Sequence, residues 1–251
     1  MQLRDLVEYL DGLLEADRYQ DYAPNGLQVE GRSMVRRLVA GVSASQALLE
    51  AAVAWDADAV LVHHGYFWRG ESPCVVGMHR RRLQTLLEND ISLLAYHLPL
   101  DAHPRLGNNV QLAQRLGIRD IRMLDVPGSQ GLVFEGRLEP AMTAAAFSSH
   151  LASRLGRPPL HLPGDDRPLK RVAWCSGGAQ GYFRSVVALG VDAYLTGEAS
   201  EPMTHIARET GVHFFAAGHH ATERYGVQAL AAHLEQSHGL AWRYVELDNP
   251  V

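Results

Sequence analysis

The chain is poor in cysteine. Cys74 and Cys175 are its only two, far apart in the sequence, so no disulfide framework holds it together. Long hydrophobic runs are also missing. No stretch approaches the ~18 uninterrupted apolar residues that a membrane-spanning helix needs. The start, Met1-Gln2-Leu3-Arg4-Asp5, has neither the basic n-region nor the apolar h-region of a secretory signal. A cytoplasmic, soluble protein is therefore expected. Basic residues are the minority, 23 against 28 acidic, for a formal net charge of −5. Nothing in that balance calls for a nucleic-acid partner. What is present is ordinary for a globular chain, 47% hydrophobic and 20% charged residues over 251 positions, enough for one large domain or two small ones. Histidine, at 13 residues, is plentiful.

The stretch Ala59-Val60-Leu61-Val62-His63-His64-Gly65 organises the reading. Four small or branched apolar residues in a row predict a strand over 58–62, buried on both faces as in a parallel sheet. Two histidines then sit where that strand should stop, and strand ends are where open α/β sheets bind ligands. Neighbouring side chains leaving a strand point apart, so His63 and His64 need not serve the same ion.

Around it, helical spacing of Leu3, Leu6, Val7, Leu10 and Leu13-Leu14 predicts an opening amphipathic helix. Asp21–Gly26 breaks it, and Asn25-Gly26-Leu27-Gln28-Val29 reads as a turn, with a place at a cleft rim as the alternative. Leu38–Val42 and Ile91–His97 read as strands. Helices are expected from Ser43 or Ser45 to Trp55, over 78–89 and over 109–116. This β-α-β-α-β-α rhythm predicts a mostly parallel, helix-covered sheet.

The second half repeats the pattern. Shifted by 134 positions, Ala54–Leu61 lies without a gap over Ala188–Leu195, and Leu38–Val42 lies over Val172–Ser176. Ile91–Tyr96 has its counterpart in Val212–Ala217, ahead of a helix over 227–234. The fold class expected is α/β, with two similar, duplicated α/β lobes, mostly parallel sheets and a metal site between the lobes. Their ranges are 1–125 and 126–251, and the last strand, Trp242–Leu247, can pair with either lobe.

The repeat carries a ligand constellation. One lobe ends strands at His63-His64 and just before Asp101, and the other at Gly197-Glu198 and just before His219. His219 and Glu223 are four apart, one turn of a helix, and share a face. Histidines and carboxylates in this mix suit divalent first-row metals, and a shared carboxylate lets two ions sit ~3.5–4 Å apart. Each residue has a plainer role available: Asp101 as a helix cap, His219 and Glu223 as a solvated pair. His97, His103, Asn108 and His220 are candidates for the surroundings of the metals or for substrate contact, with a structural role as the alternative. Glu198 stands at the repeat position of His64. Cys175-Ser176-Gly177-Gly178-Ala179 lacks the pattern of a phosphate loop or a nucleophile elbow, and a tight strand-to-helix turn is expected there.

Asn25–Val29, His63-His64-Gly65, Leu100-Asp101 with Gly107-Asn108-Asn109, and Gly218–Arg224 resemble the YbgI-type family of dinuclear metal proteins, whose members often carry the label "GTP cyclohydrolase 1 type 2 homologue". The resemblance runs the length of the chain. It implies two α/β lobes, a toroidal homohexamer, and two divalent ions per chain (iron, zinc, manganese or nickel) on His63, His64, Asp101, His219 and Glu223.

Two function classes follow. In a metal-dependent hydrolase, a water bridging two ions loses its proton near neutral pH and attacks an unidentified small-molecule substrate, with a nucleotide-like one as one option. His97 or Glu198 would relay protons there. The alternative is a non-catalytic metal-binding ring, acting as a metallochaperone or assembly platform. Five ligands for two ions leave coordination positions open, which favours the enzyme.

Overall fold

Leucine at helical spacing starts the fold: α1 (Leu3–Leu14) buries Leu3, Leu6, Leu10 and Leu14. The structure, a computed structural model, describes residues 1–251. β1 (Gly26–Val29), β2 (Arg37–Ser43) and α2 (Gln46–Ala54) follow, with the Ser45 hydroxyl capping α2 by accepting the Leu48 N–H. Next come β3 (Ala59–His64), α3 (Gly77–Glu88), β4 (Ser92–Ala95), and the short α4 (Leu98–Ala102). α5 (Asn108–Leu116) stops at Gly117, whose φ of 69° is the left-handed cap that favours glycine. The chain continues through β5 (Arg119–Met123), β6 (Phe134–Met142), α6 (Ala144–Leu155), β7 (Leu160–Leu162) and β8 (Leu169–Trp174). It ends with α7 (Phe183–Val187), β9 (Ala193–Thr196), α8 (Met203–Thr210), β10 (His213–Ala216), α9 (His219–His238) and β11 (Ala241–Tyr244). No helix is long and apolar enough to cross a membrane.

Two compact units emerge, residues 1–106 with 226–248, and residues 107–225 with 249–251. The division falls at Leu106/Gly107 instead of near residue 125. The reason is that Val110, Leu112, Ala113 and Leu116 of α5 pack into the same core as Phe147 and Leu151 of α6.

The first unit is a five-stranded sheet in the order β1-β4-β3-β2-β11. The pairings β2–β3, β3–β4 and β2–β11 are parallel, and only β1 runs antiparallel, against β4. The last strand thus joins the first sheet. Residues of β3 alternate between two cores. Ala59 and Leu61 face a cluster containing Leu6 and Leu10 of α1 and Leu230 and Leu234 of α9. Val60 and Val62 face Leu48 and Leu49 of α2 and Leu86 of α3. Each buried valine or leucine among them contributes roughly 1.5–3 kcal/mol by leaving water. β3 runs further than the periodicity predicts, through His64 itself. The Asn25–Val29 segment, read as a turn, is a strand from Gly26 onward.

The second unit has six strands in the order β5-β6-β8-β9-β10-β7. Its centre, β8–β9–β10, is parallel, while β7, β6 and β5 are antiparallel to their neighbours. Phe134, Phe147, Trp174 and Phe215 fill the core on one face. On the other, Phe183 of α7 stacks on Tyr194 and meets Phe214 edge-on.

The repeat is structural. β4-β3-β2 in one sheet has the order of β10-β9-β8 in the other, each flanked by an antiparallel strand beyond β4 or β10. Asp58 Oδ2 accepts the backbone N–H groups of Arg36 and Arg37 at 2.8 and 2.9 Å. Asp192 Oδ2 accepts those of Lys170 and Arg171 at 2.9 and 2.8 Å, the same positions shifted by 134. Asp58→Ala and Asp192→Ala should each leave two N–H groups without an acceptor and destabilise by about 1–3 kcal/mol. Urea denaturation checks this, and an unchanged midpoint in either variant breaks the equivalence.

Candidate metal centre

In the first unit, β3 delivers His63 and His64, and the end of β4 delivers His97. Each imidazole has one nitrogen tied down. His63 Nδ1 donates to the Tyr96 carbonyl at 2.9 Å, which leaves the lone pair on Nε2. His64 Nδ1 shares a 3.0 Å hydrogen bond with Ser43 Oγ, and His97 Nδ1 donates to Asp21 Oδ1 at 2.7 Å. One ligand atom from each of the three rings lies within 4.8 Å of the other two. Asp101, buried on α4, brings Oδ1 to 3.4 Å from His63 Nε2. Fixing one ring nitrogen to a carbonyl or carboxylate while the other is left to ligate is how proteins prepare histidine for metals. The donor set therefore fits a divalent cation.

Asp21 holds this arrangement together. Besides His97, it accepts the Leu98 N–H and the Asn25 side-chain amide, both at 3.0 Å, and Asn25 Oδ1 accepts the His97 N–H at 2.7 Å. Burial pushes the Asp21 carboxyl up, but its bonds to His97, Asn25 and Leu98 outweigh that and hold it down at about 2. Gln28 Oε1 accepts the Tyr66 N–H at 2.7 Å, just past Gly65. The Trp68 ring stands edge-on to His97 with centroids 5.0 Å apart.

In the second unit, α9 opens with His219, and Glu223 follows one turn later. His219 Nδ1 meets Glu198 Oε1 at 2.6 Å and Nε2 meets Glu223 Oε2 at 3.0 Å. Burial disfavours the imidazolium, yet the two carboxylates prevail and raise its pKa to about 9. Two carboxylates gathered on one imidazole attract positive charge, as a cation site does.

A family model described as Duf34/NIF3 (NGG1p interacting factor 3) matches residues 1–250. The chain belongs to the Duf34/NIF3 family. A Pseudomonas aeruginosa relative named "GTP cyclohydrolase 1 type 2 homolog" is 59% identical, covering 99% of this chain and 98% of its own. An Escherichia coli relative of the same name is 50% identical over the whole of both chains. The solved structure of "protein ybgI, unknown function" superposes with a TM-score of 0.94 at 49% identity, covering both chains entirely. A Thermus thermophilus structure, TTHA1606, is 38% identical with a TM-score of 0.88, again over both full chains. HcgD from Methanocaldococcus jannaschii, at 21% identity and a TM-score of 0.84, shares the fold.

Within this Duf34/NIF3 chain, the other sequence candidates have partners or buried places of their own. His103 Nδ1 accepts the N–H groups of Arg105 and Leu106 and so shapes a turn. Asn108 is buried at the start of α5, and the His220 N–H bonds the Val251 carbonyl. The sequence signal missed Asp21 and Trp68, a lone acid in a loop and a lone aromatic beyond the histidines. It read Gly177 and Gly178 as part of a tight strand-to-helix turn but did not show which side chains they face. A Cβ on Gly177 would overlap the Glu223 carboxylate and approach His219 Nε2 to 3.0 Å, and one on Gly178 would touch Glu198 and His219. The glycines leave room for the Glu223, His219 and Glu198 side chains. Gly177 and Gly156 both have positive φ, at 66° and 78°, but Gly156 faces open space. Gly156→Ala should cost about 1 kcal/mol of backbone strain, and Gly177→Ala a further ~1–3 kcal/mol of crowding. Equal thermal shifts for the two would show that Glu223 is not packed against the turn.

Proposed function

We propose that this protein is a dinuclear metal-dependent hydrolase, its two divalent ions held by His63, His64, Asp101, His219 and Glu223. The observation that carries this reading is the preparation of the histidines: His63, His64 and His97 each have one nitrogen fixed by Tyr96, Ser43 or Asp21. When bound, two such ions would activate water and offset negative charge as it develops on the substrate. Asp101 is assigned as the shared carboxylate. His97, braced by Asp21, is assigned to move a proton at Nε2. Glu198, bonded to His219 Nδ1, orients that imidazole and is assigned a positioning role ahead of a relay. Trp68 stands edge-on beside His97 as an aromatic neighbour. The names of the relatives put nucleoside triphosphates first among substrates to try, followed by phosphoesters and amides.

Purified protein should hold two ions per chain by elemental analysis, and Asp101→Ala should lower that number. Chelation should lower the melting temperature, because an ion bound only to the native state stabilises it by roughly 2.7 kcal/mol at a hundredfold excess over Kd. With manganese, zinc or iron restored, the protein should turn over a member of the substrate panel and His97→Ala should slow it. Two tightly bound ions in Asp101→Ala would overturn the ligand assignment. Full loading with no turnover across the panel would shift the reading to a non-catalytic metal-binding ring.

For assembly we propose a homohexamer, in keeping with the closed symmetry that soluble homo-oligomers favour. Sedimentation should show a single species of six chains, and a stable monomer at micromolar concentration would refute it.

A further inference from the structure

A cavity of about 400 Å³ opens in the second unit, where β6 departs from β8. None of its lining residues belongs to the histidine and carboxylate clusters. Its origin is a break in register. Arg137 stands opposite Arg171, but the next pairing is Met142 with Leu169, so residues 138–141 of β6 face Lys170 alone on β8. Such an excursion bends the strand and re-aims its side chains.

The charges around it are unevenly matched. Arg119 pairs across β5–β6 with Arg137, and Arg137 pairs across β6–β8 with Arg171, so three arginines stand in a row over three strands. Like charges directly opposite one another destabilise a sheet. Glu135 relieves part of this, since it is buried and bonds both Arg171, at 2.6 Å, and Arg122. Burial raises the Glu135 carboxyl, but the two guanidinium groups more than reverse that and hold it below the usual range. Asp192 lines the cavity too, yet one of its oxygens already accepts two backbone N–H groups. Arg137 has only Asp120 at 3.9 Å, with both side chains more than 60% exposed, a pair worth little in water. The Lys170 ammonium forms no ion pair. Two cations thus remain uncommitted at a concave site of the size that holds small molecules. Leu138 and Ala141 supply apolar lining, and Glu139 adds one negative charge that opposes an extended polyanion.

We infer that this cavity binds a small phosphate monoester, with Arg137 and Lys170 on the phosphate and Leu138 and Ala141 against the organic group. Arginine and lysine are suited to that anion by charge-assisted hydrogen bonds. The site does not depend on the metal centre.

Calorimetry on the full-length protein with phenyl phosphate and with inorganic phosphate tests it. Phenyl phosphate should bind more tightly than inorganic phosphate. Arg137→Ala with Lys170→Ala should weaken its binding about tenfold or more, the scale of a lost charged hydrogen bond. Arg154→Ala with Arg208→Ala, the same change in charge on exposed helix positions, should leave it unaltered, and Glu139→Gln should tighten it. The inference fails if phenyl phosphate does not bind at millimolar concentration, or if both double variants lose binding equally. It also fails if the Arg137 and Lys170 variant binds as the parent does, or if inorganic phosphate binds as well as its phenyl ester.

Discussion

A strand buried on both faces must spend its backbone hydrogen bonds on its neighbours, and any polar side chain it carries inside must find a partner there. β3 meets that constraint with β2 and β4 on either side, in parallel register from Ala59 to Val62. Its next residue, His63, is as buried as the valines before it. The imidazole is tolerable in that position because the Tyr96 carbonyl, one strand over, accepts its Nδ1–H. The same bond settles the tautomer and leaves Nε2 as the basic nitrogen. Packing of the sheet and orientation of the His63 imidazole are therefore one event.

The second unit shows what duplication preserved and what it changed. The parallel trio of strands, the carboxylate below it that accepts two adjacent N–H groups, and the antiparallel edge strand all recur. Chemistry at the strand ends diverged. Where β3 ends in two histidines, the equivalent position after β9 is Glu198. Where β4 leads through α4 to Asp101, β10 leads straight into α9 and places His219 and Glu223 on its first turn. A helix start there brings two candidate ligands to one face at the cost of space, and Gly177 supplies the space.

Polar residues in the loops do the positioning. Asp21 and Asn25 belong to no helix, yet between them they hold the His97 ring, the His97 N–H and the Leu98 N–H. Gln28 braces the backbone just beyond the histidine pair. Their effect is to restrict rotation of the side chains that carry the candidate donor atoms.

Much of this was legible in the chain itself, wherever a local pattern decides the outcome. The apolar run before His63, the helical leucines of α1, the four-residue spacing of His219 and Glu223 and the 134-residue repeat depend on neighbours in sequence, and the elements formed where they fall. Only tertiary structure could decide the rest. Gly26–Val29 became a strand because β4 offered an open edge, and α5 joined the second unit because its leucines meet those of α6. Asp21 lies 76 residues from His97 and Gly177 lies 46 from Glu223 in sequence. Contacts of that separation leave no period or spacing to read. They exist only after the chain has closed on itself, and the orientation of each candidate ligand is set there.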